Sequence, residues 1–186
     1  MKKLVLILLL NSCGLFAFAQ KTDTIKKRVD GTIALSTNDI STNISQIKEL
    51  ARFKELVNAA GLDSVLHAAG PVTVFAPTQY TFLHAGVDVA DSLTKPANKE
   101  MLTRLVLNHI VKGNISIADI RKQIEADGGS ATLTTLAGGK ITATINTDRN
   151  MVLTDETNKA SIISKFDIPA SNGRIQILNG ILFPGN

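Results

Sequence analysis

Asp63, Ser64 and His67 supply the residue types of an orienting carboxylate, a nucleophile and a base. In a hydrolase the hydroxyl attacks, the imidazole takes its proton, and the carboxylate holds the ring in the right tautomer. Here the three are crowded into one predicted helical turn. A working triad needs its base oriented by a third group from another direction, so no hydrolysis is expected from them. His67, His84 and His109 have no second histidine at i, i+4 and no cysteine beside them. A metal site would have to gather them from three separate elements, and none is expected. Gly138-Gly139-Lys140 has the end of a phosphate loop without its upstream glycine or a hydroxyl residue after the lysine, and reads as a hairpin turn. Asp148, Asp155 and Glu156 do not match a calcium loop. With no G-x-S-x-G and the single cysteine, Cys13, near the N-terminus, the expectation is a protein that is not an enzyme and has no cofactor.

The elements around these residues are organised by Val72 to Phe82. Val72, Thr73, Val74 and Phe75 suit a pleated, half-buried strand, and Pro77 removes the backbone donor that would let it continue. Thr78 is a good N-cap for a short helix carrying Tyr80, Phe82 and Leu83. Before this strand, Ile44, Ile47 and Ala51 hold helical spacing and Phe53, Leu56, Val57 and Ala60 resume out of phase, predicting two short helices or one broken one. Leu62, Val65, Leu66 and Ala69 mark another. Glycines at Ala60-Gly61, Ala69-Gly70 and Ala85-Gly86 read as helix stops in the left-handed region. After the strand, Thr94 and Pro96 open the best helix, with Met101, Leu102, Leu105, Val106 and His109 along one stripe. His109 falls at its end, where backbone carbonyls would satisfy the ring. Ile117, Ile120 and Ile124 make one more.

From Ala131 the period changes to two. Ala131 to Leu136, Lys140 to Asn146, Met151 to Thr154, Ser161 to Phe166, Arg174 to Leu178 and Ile181 to Phe183 are predicted strands. Gly138-Gly139, Asp148-Arg149-Asn150 and Asn172-Gly173 supply their turns. Helices first and antiparallel hairpins afterwards predict an α+β fold.

Of the 186 residues 44% are hydrophobic, ample for one domain's core. The net charge of +4 sits at the N-terminus, in Lys2, Lys3, Lys21, Lys26, Lys27 and Arg28; from Thr32 onward acids and bases balance. A nucleic-acid face is therefore not expected. Met1-Lys2-Lys3, the apolar Leu4 to Leu10 and Ala17-Phe18-Ala19 predict a signal peptide over 1–19, cleaved before Gln20. The alternative is Leu10-Asn11-Ser12-Cys13 as a loose lipobox, with Cys13 lipidated and membrane attachment following only in that case. The expected protein is secreted or periplasmic. Residues 20–38, polar and without sustained periodicity, read as a linker or arm, and 39–186 as the domain.

The wording Thr73-Val74-Phe75-Ala76-Pro77-Thr78 resembles the first sequence box of fasciclin domains. Asp167-Ile168, then Asn172-Gly173-Arg174-Ile175-Gln176-Ile177-Leu178, Ile181-Leu182 and Pro184, resemble the closing box, with Gln176 where the family has a histidine. Asn108-His109 stands where the family often has Tyr-His. The resemblance spans about Asp39 to Pro184. It implies a wedge of short β-strands with a cluster of short helices in the N-terminal half, in secreted or surface proteins used for adhesion. In animal relatives the Asp-Ile pair and the Tyr-His region are linked to integrin binding, so His109, Asp167 and Ile168 are the residues the resemblance puts forward for binding. The expected function is an extracytoplasmic adhesion or interaction module for protein or glycan; the alternative is a small-ligand carrier or hydrolase with a pocket between helices and sheet. Val74 and Phe75 should lie close to Ile175 and Ile177 in one core.

Overall fold

The computed structural model describes residues 23–68, 70–84 and 91–185. The expected signal peptide and the glycine stop at Ala85-Gly86 lie outside the described residues. Two short strands, β1 (Lys26–Val29) and β2 (Thr32–Leu35), come first. Helices α1 (Ile40–Gln46), α2 (Ala51–Ala60) and α3 (Asp63–His67) follow. Then come β3 (Val72–Pro77) and α4 (Gln79–His84). Next are α5 (Lys99–Asn108), β4 (Ile110–Lys112) and α6 (Ile117–Ala126). The strands β5 (Ala131–Thr134), β6 (Lys140–Ile145), β7 (Met151–Thr154), β8 (Ala160–Ala170) and β9 (Gly173–Leu178) complete the order. Helices cluster in the first half and hairpins in the second, as the change of period at Ala131 requires.

The helices begin and end for identifiable reasons. Asp39 caps α1, its Oδ1 accepting from Thr42 N at 2.7 Å. The predicted phase slip is real: a 3-10 turn over Lys48–Leu50 separates α1 from α2. Gly61, at φ +74°, closes α2 with Gly61 N bonded to Asn58 O and Leu62 N to Val57 O, a Schellman stop that an L side chain would strain. Ser116 and Asp119 exchange side-chain and backbone bonds in a capping box that starts α6. Gly70 departs from the expectation. It precedes Pro71 through a cis peptide bond, outside the left-handed region, and a Cβ there would sit 2.1 Å from Asn172 O. Close backbone approach, not a helix stop, is why that position is glycine.

Seven strands form one sheet in the order β4-β3-β9-β8-β7-β6-β5. Its ends meet through a Val111–Thr135 bridge and a Leu136 N to Ile110 O bond of 2.7 Å, so the sheet curls into a near-barrel. The two boxes sit side by side. β3 pairs with β9 in parallel, Val74 opposite Ile175 and Ala76 opposite Ile177. That pairing is the one parallel step in the sheet, and both strands are buried on both faces.

Alternation then divides the apolar residues between two cores. Val74, Ile175 and Ile177 face the helices, packing with Ile40, Ile44, Leu50, Phe53, Leu56 and Leu66. Phe75 and Leu178 face the barrel interior with Ile120, Ile141, Leu153 and Leu182. Val74 and the isoleucines thus share a core as expected, while Phe75 looks the other way. Truncating Phe75, which is fully buried, to alanine costs about 3–5 kcal/mol.

Two segments differ from the sequence reading. Residues 26–35, read as part of a linker, form the β1–β2 hairpin, with Val29 and Ala34 buried in the helix-side core. Lys165 on β8 fastens it, its Nζ 2.7 Å from Asp30 in the turn and 2.7 Å from the buried Glu49. Residues 181–183, predicted as a strand, are extended but make no ladder. Side chains hold them instead, as described next.

Candidate functional site

His67 is placed by α3 between two carboxylates. Its Nδ1 lies 2.8 Å from Asp39 Oδ2 at the head of α1, and its Nε2 lies 3.2 Å from Asp63 Oδ2. Asp63 also accepts from Ser41 and from Lys54 on α2. The bond to Asp39 holds the His67 imidazole above its ordinary pKa. Lys54 and Ser41 lower the Asp63 carboxyl. Burial opposes the charge on Asp39, but the Thr42 and His67 bonds outweigh it and lower that carboxyl too. Both ring nitrogens are therefore engaged by acids, and neither is free to take a proton from a hydroxyl. Ser64 is exposed and outside the cluster. The arrangement is an ion-pair clamp joining three helices.

His109 closes α5 and is buried, at 1% exposure. Its Nδ1 lies 2.8 Å from Leu105 O, and Leu182 N donates to its Nε2 at 3.0 Å. A carbonyl needs a donor and an N–H needs an acceptor, so the ring is neutral with its proton on Nδ1. Burial pushes its pKa down to about 4. Asn108 Nδ2 donates to Leu182 O, and Asn108 Oδ1 accepts from Thr135. The buried Asp155 accepts from Phe183 N at 2.7 Å through Oδ2, while its Oδ1 takes Thr157 N, Thr157 Oγ1 and Lys159 N. Arg104 donates to Gly185 O and Gly185 N to Glu156. Residues 181–185 are thus a strap held across α5 and the β7–β8 turn by side chains.

Asp167 and Ile168 lie in an irregular stretch of β8, where the register to β9 shifts. Asp167 adopts φ +56°, and its Oδ1 accepts from Ile117 N, Gln176 Nε2 and Arg174. Gln176, the family's histidine position, is fully buried; it bonds Asp167 N through Oε1 and Ile115 O through Nε2. Ile168 is fully buried in the helix-side core. Of the three residues put forward for binding, only Asp167 is partly exposed. His109 and Ile168 have no side-chain surface to present, because the core and the strap cover them. The structure brings Asp167 together with Gln176 and Arg174, not with His109.

What sequence reasoning missed is a cleft of about 740 Å³ between α5 and the strap. Leu93, Met101, Leu105, Phe183 and Pro184 give it an apolar lining, and Glu100 and Arg104 stand with it on α5. Met101 is 60% exposed although it belongs to the helix's apolar stripe. That excess methionine was the available signal, since α5 has more apolar residues than its core contact uses. No cluster able to hold a metal ion occurs among the described residues.

Residues 48–184 match the model of the family described as "Fasciclin domain". Protein sll1483 of Synechocystis is 34% identical over 128 residues, covering 69% of this chain and 63% of that protein. The pig transforming growth factor-beta-induced protein ig-h3 is 26% identical over 88% of this chain, which spans 22% of it. Mouse stabilin-1 is 26% identical over 80% of this chain, which spans 5% of its length. Among solved structures, the fold is similar to a FAS1 domain pair from the insect cell adhesion molecule fasciclin I. That likeness has a TM-score of 0.68 at 13% identity and covers 78% of this chain and 51% of the pair. The chain accordingly spans less than two thirds of these relatives.

Proposed function

The chain belongs to the fasciclin family, and on that footing we propose that it is an extracytoplasmic adhesion or interaction module that binds protein or glycan by surface contact. The observation that supports this most is the cleft beside α5, where an exposed methionine and apolar neighbours lie open with Arg104 and Glu100 beside them. Methionine adapts its shape to a partner surface, and arginine is enriched at interfaces. Asp167 remains part of the proposal as a partly exposed carboxylate; His109 and Ile168 contribute by holding the fold.

The test is capture of envelope and matrix components on the immobilised chain. Met101→Asp should weaken capture while the melting temperature stays unchanged; Arg104→Glu should weaken it too, with a lower melting temperature because its bond to Gly185 O is lost. His67→Ala and Ser64→Ala should leave it intact, provided folding is retained. Turnover of an ester, glycan or peptide that disappears with either of those last two changes would overturn the adhesion reading. The cleft's volume also falls in the range of ligand pockets, about 300–1,000 Å³. That favours a small-ligand carrier as second reading, which thermal-shift screening with and without Met101→Asp would detect.

A further inference from the structure

The outer face of the β1–β2 hairpin mixes cations with exposed aliphatic side chains. Register places Arg28 opposite Ile33 and Lys26 opposite Leu35. Paired residues in an antiparallel ladder point the same way, and alternation sends Val29 and Ala34 to the core side. The outward set is therefore Lys26 and Arg28 on one strand and Ile33 and Leu35 on the other. Lys26, Arg28 and Ile33 are exposed, Ile33 at 43%, and Leu35 is half-buried. Neither cation has an ion-pair partner among the described residues. The one acid in the hairpin, Asp30, is occupied by Lys165. At the hairpin's flank Lys27 Nζ stands 5.4 Å from the ring of Phe166, itself 50% exposed, and Ile25 is 62% exposed.

The geometry points to this hairpin as a docking face for an anionic lipid surface. Unpaired cations supply attraction to the headgroups, and the aliphatics between them enter the interface, a combination that matches a charged, partly apolar boundary. A polyanion in water would use the cations and leave Ile33 and Leu35 without a role. The charge complementarity is local, since acids and bases balance from Thr32 onward. The face is also preformed. Val29 and Ala34 in the core and Lys165 across the turn hold it, so binding orders little new chain. This inference stands on residues distant in sequence from the cleft and does not depend on what the cleft binds.

The test uses the chain beginning at Gln20, which retains every described residue, and vesicles of phosphatidylcholine with or without phosphatidylglycerol. Co-sedimentation should occur on the anionic vesicles at low salt and vanish in 1 M salt, where the screening length falls to about 3 Å. Lys26→Gln with Arg28→Gln should weaken binding about twenty-five-fold, at roughly five-fold per charge. Ile33→Ser should weaken it with both charges intact. The melting temperatures should not move, because these side chains have no hydrogen-bond or ion-pair partner among the described residues to lose. The inference is overturned if the anionic vesicles do not bind the chain, or if neutral vesicles bind it as well. It is equally overturned if heparin competes fully while Ile33→Ser binds vesicles like the unaltered chain, which would make the face a polyanion site.

Discussion

Acidification should weaken this domain through His109 before its carboxylates are fully titrated. In the folded protein the ring is neutral and its pKa lies at about 4; in the unfolded chain it returns to about 6.5. Between those values the unfolded state binds the proton that the native state refuses, so stability falls as pH falls. Each unit of difference corresponds to about 1.4 kcal/mol, so the loss reaches about 2 kcal/mol by pH 5 and about 3 kcal/mol by pH 4. Above pH 7 the contribution is complete. Urea unfolding followed by circular dichroism at stepped pH measures it, with His109→Gln as the control. Glutamine can occupy the site with a donor and an acceptor but does not titrate. The variant should be less stable at neutral pH, and its deficit should shrink by about 3 kcal/mol on going to pH 4. Nitrogen chemical shifts should show His109 neutral, with its proton on Nδ1, at pH 5. Parallel stability curves for the two proteins, or a native imidazole titrating near 6.5, would refute the reasoning.

His67 should behave in the opposite sense. Its raised pKa contributes stability that is complete below about pH 6.5 and is lost as pH rises through the folded value. Because the ring is about half exposed, the effect should be under about 1 kcal/mol, and Asp39→Asn should return the titration toward its ordinary position. Lys165→Met leaves the buried Glu49 uncompensated and should cost about 2–4 kcal/mol, speeding hydrogen exchange in the β1–β2 hairpin; adding Glu49→Leu should recover most of the loss. Gly173→Ala would place a Cβ 1.9 Å from Val72 O, and should cost about 3 kcal/mol or more, read as a fall in melting temperature or in soluble yield.

Much of this architecture was legible because local patterning and tertiary placement agree. Met151–Thr154 is largely apolar and bounded by turn residues in sequence and pairs on both sides, so its limits coincide with the reading. The stripe of α5 is of the same kind. The hairpin at 26–35 was hidden because only Val29 and Ala34 turn inward, among lysines and an arginine that look solvated. Its fastening, Lys165 to Asp30 and Glu49, depends on residues far away in sequence. Residues 181–183 form an apolar run that suits a buried strand, yet Asn108, His109 and Asp155 supply the partners a ladder would have supplied. The burial of two of the residues the resemblance puts forward was hidden for a related reason. His109 and Ile168 look polar or motif-like in the chain, and burial cannot be read from a motif. The cleft needs α5 and the strap together, and no window of sequence contains both.

The parallel pairing of β3 with β9 has a consequence for how the chain acquires its structure. The strand that pairs with β3 is the last in chain order among the described strands, and β3 lies about a hundred residues before it. Neither core can close while Gly173–Leu178 is missing, since each draws on that strand. Helices α1 to α5 can flicker in and out of existence on the growing chain, but they have no wall to pack against. Folding therefore waits until Gly173–Leu178 has been made and proceeds at the slower pace set by long-range contacts, closing the large loop between β3 and β9 late. A chain ending at Asn172 should remain protease-sensitive throughout, whereas adding back the segment from Gly173 as a separate peptide should protect it. The closing box is thus the clasp of the molecule, and the chain stays open until the clasp arrives.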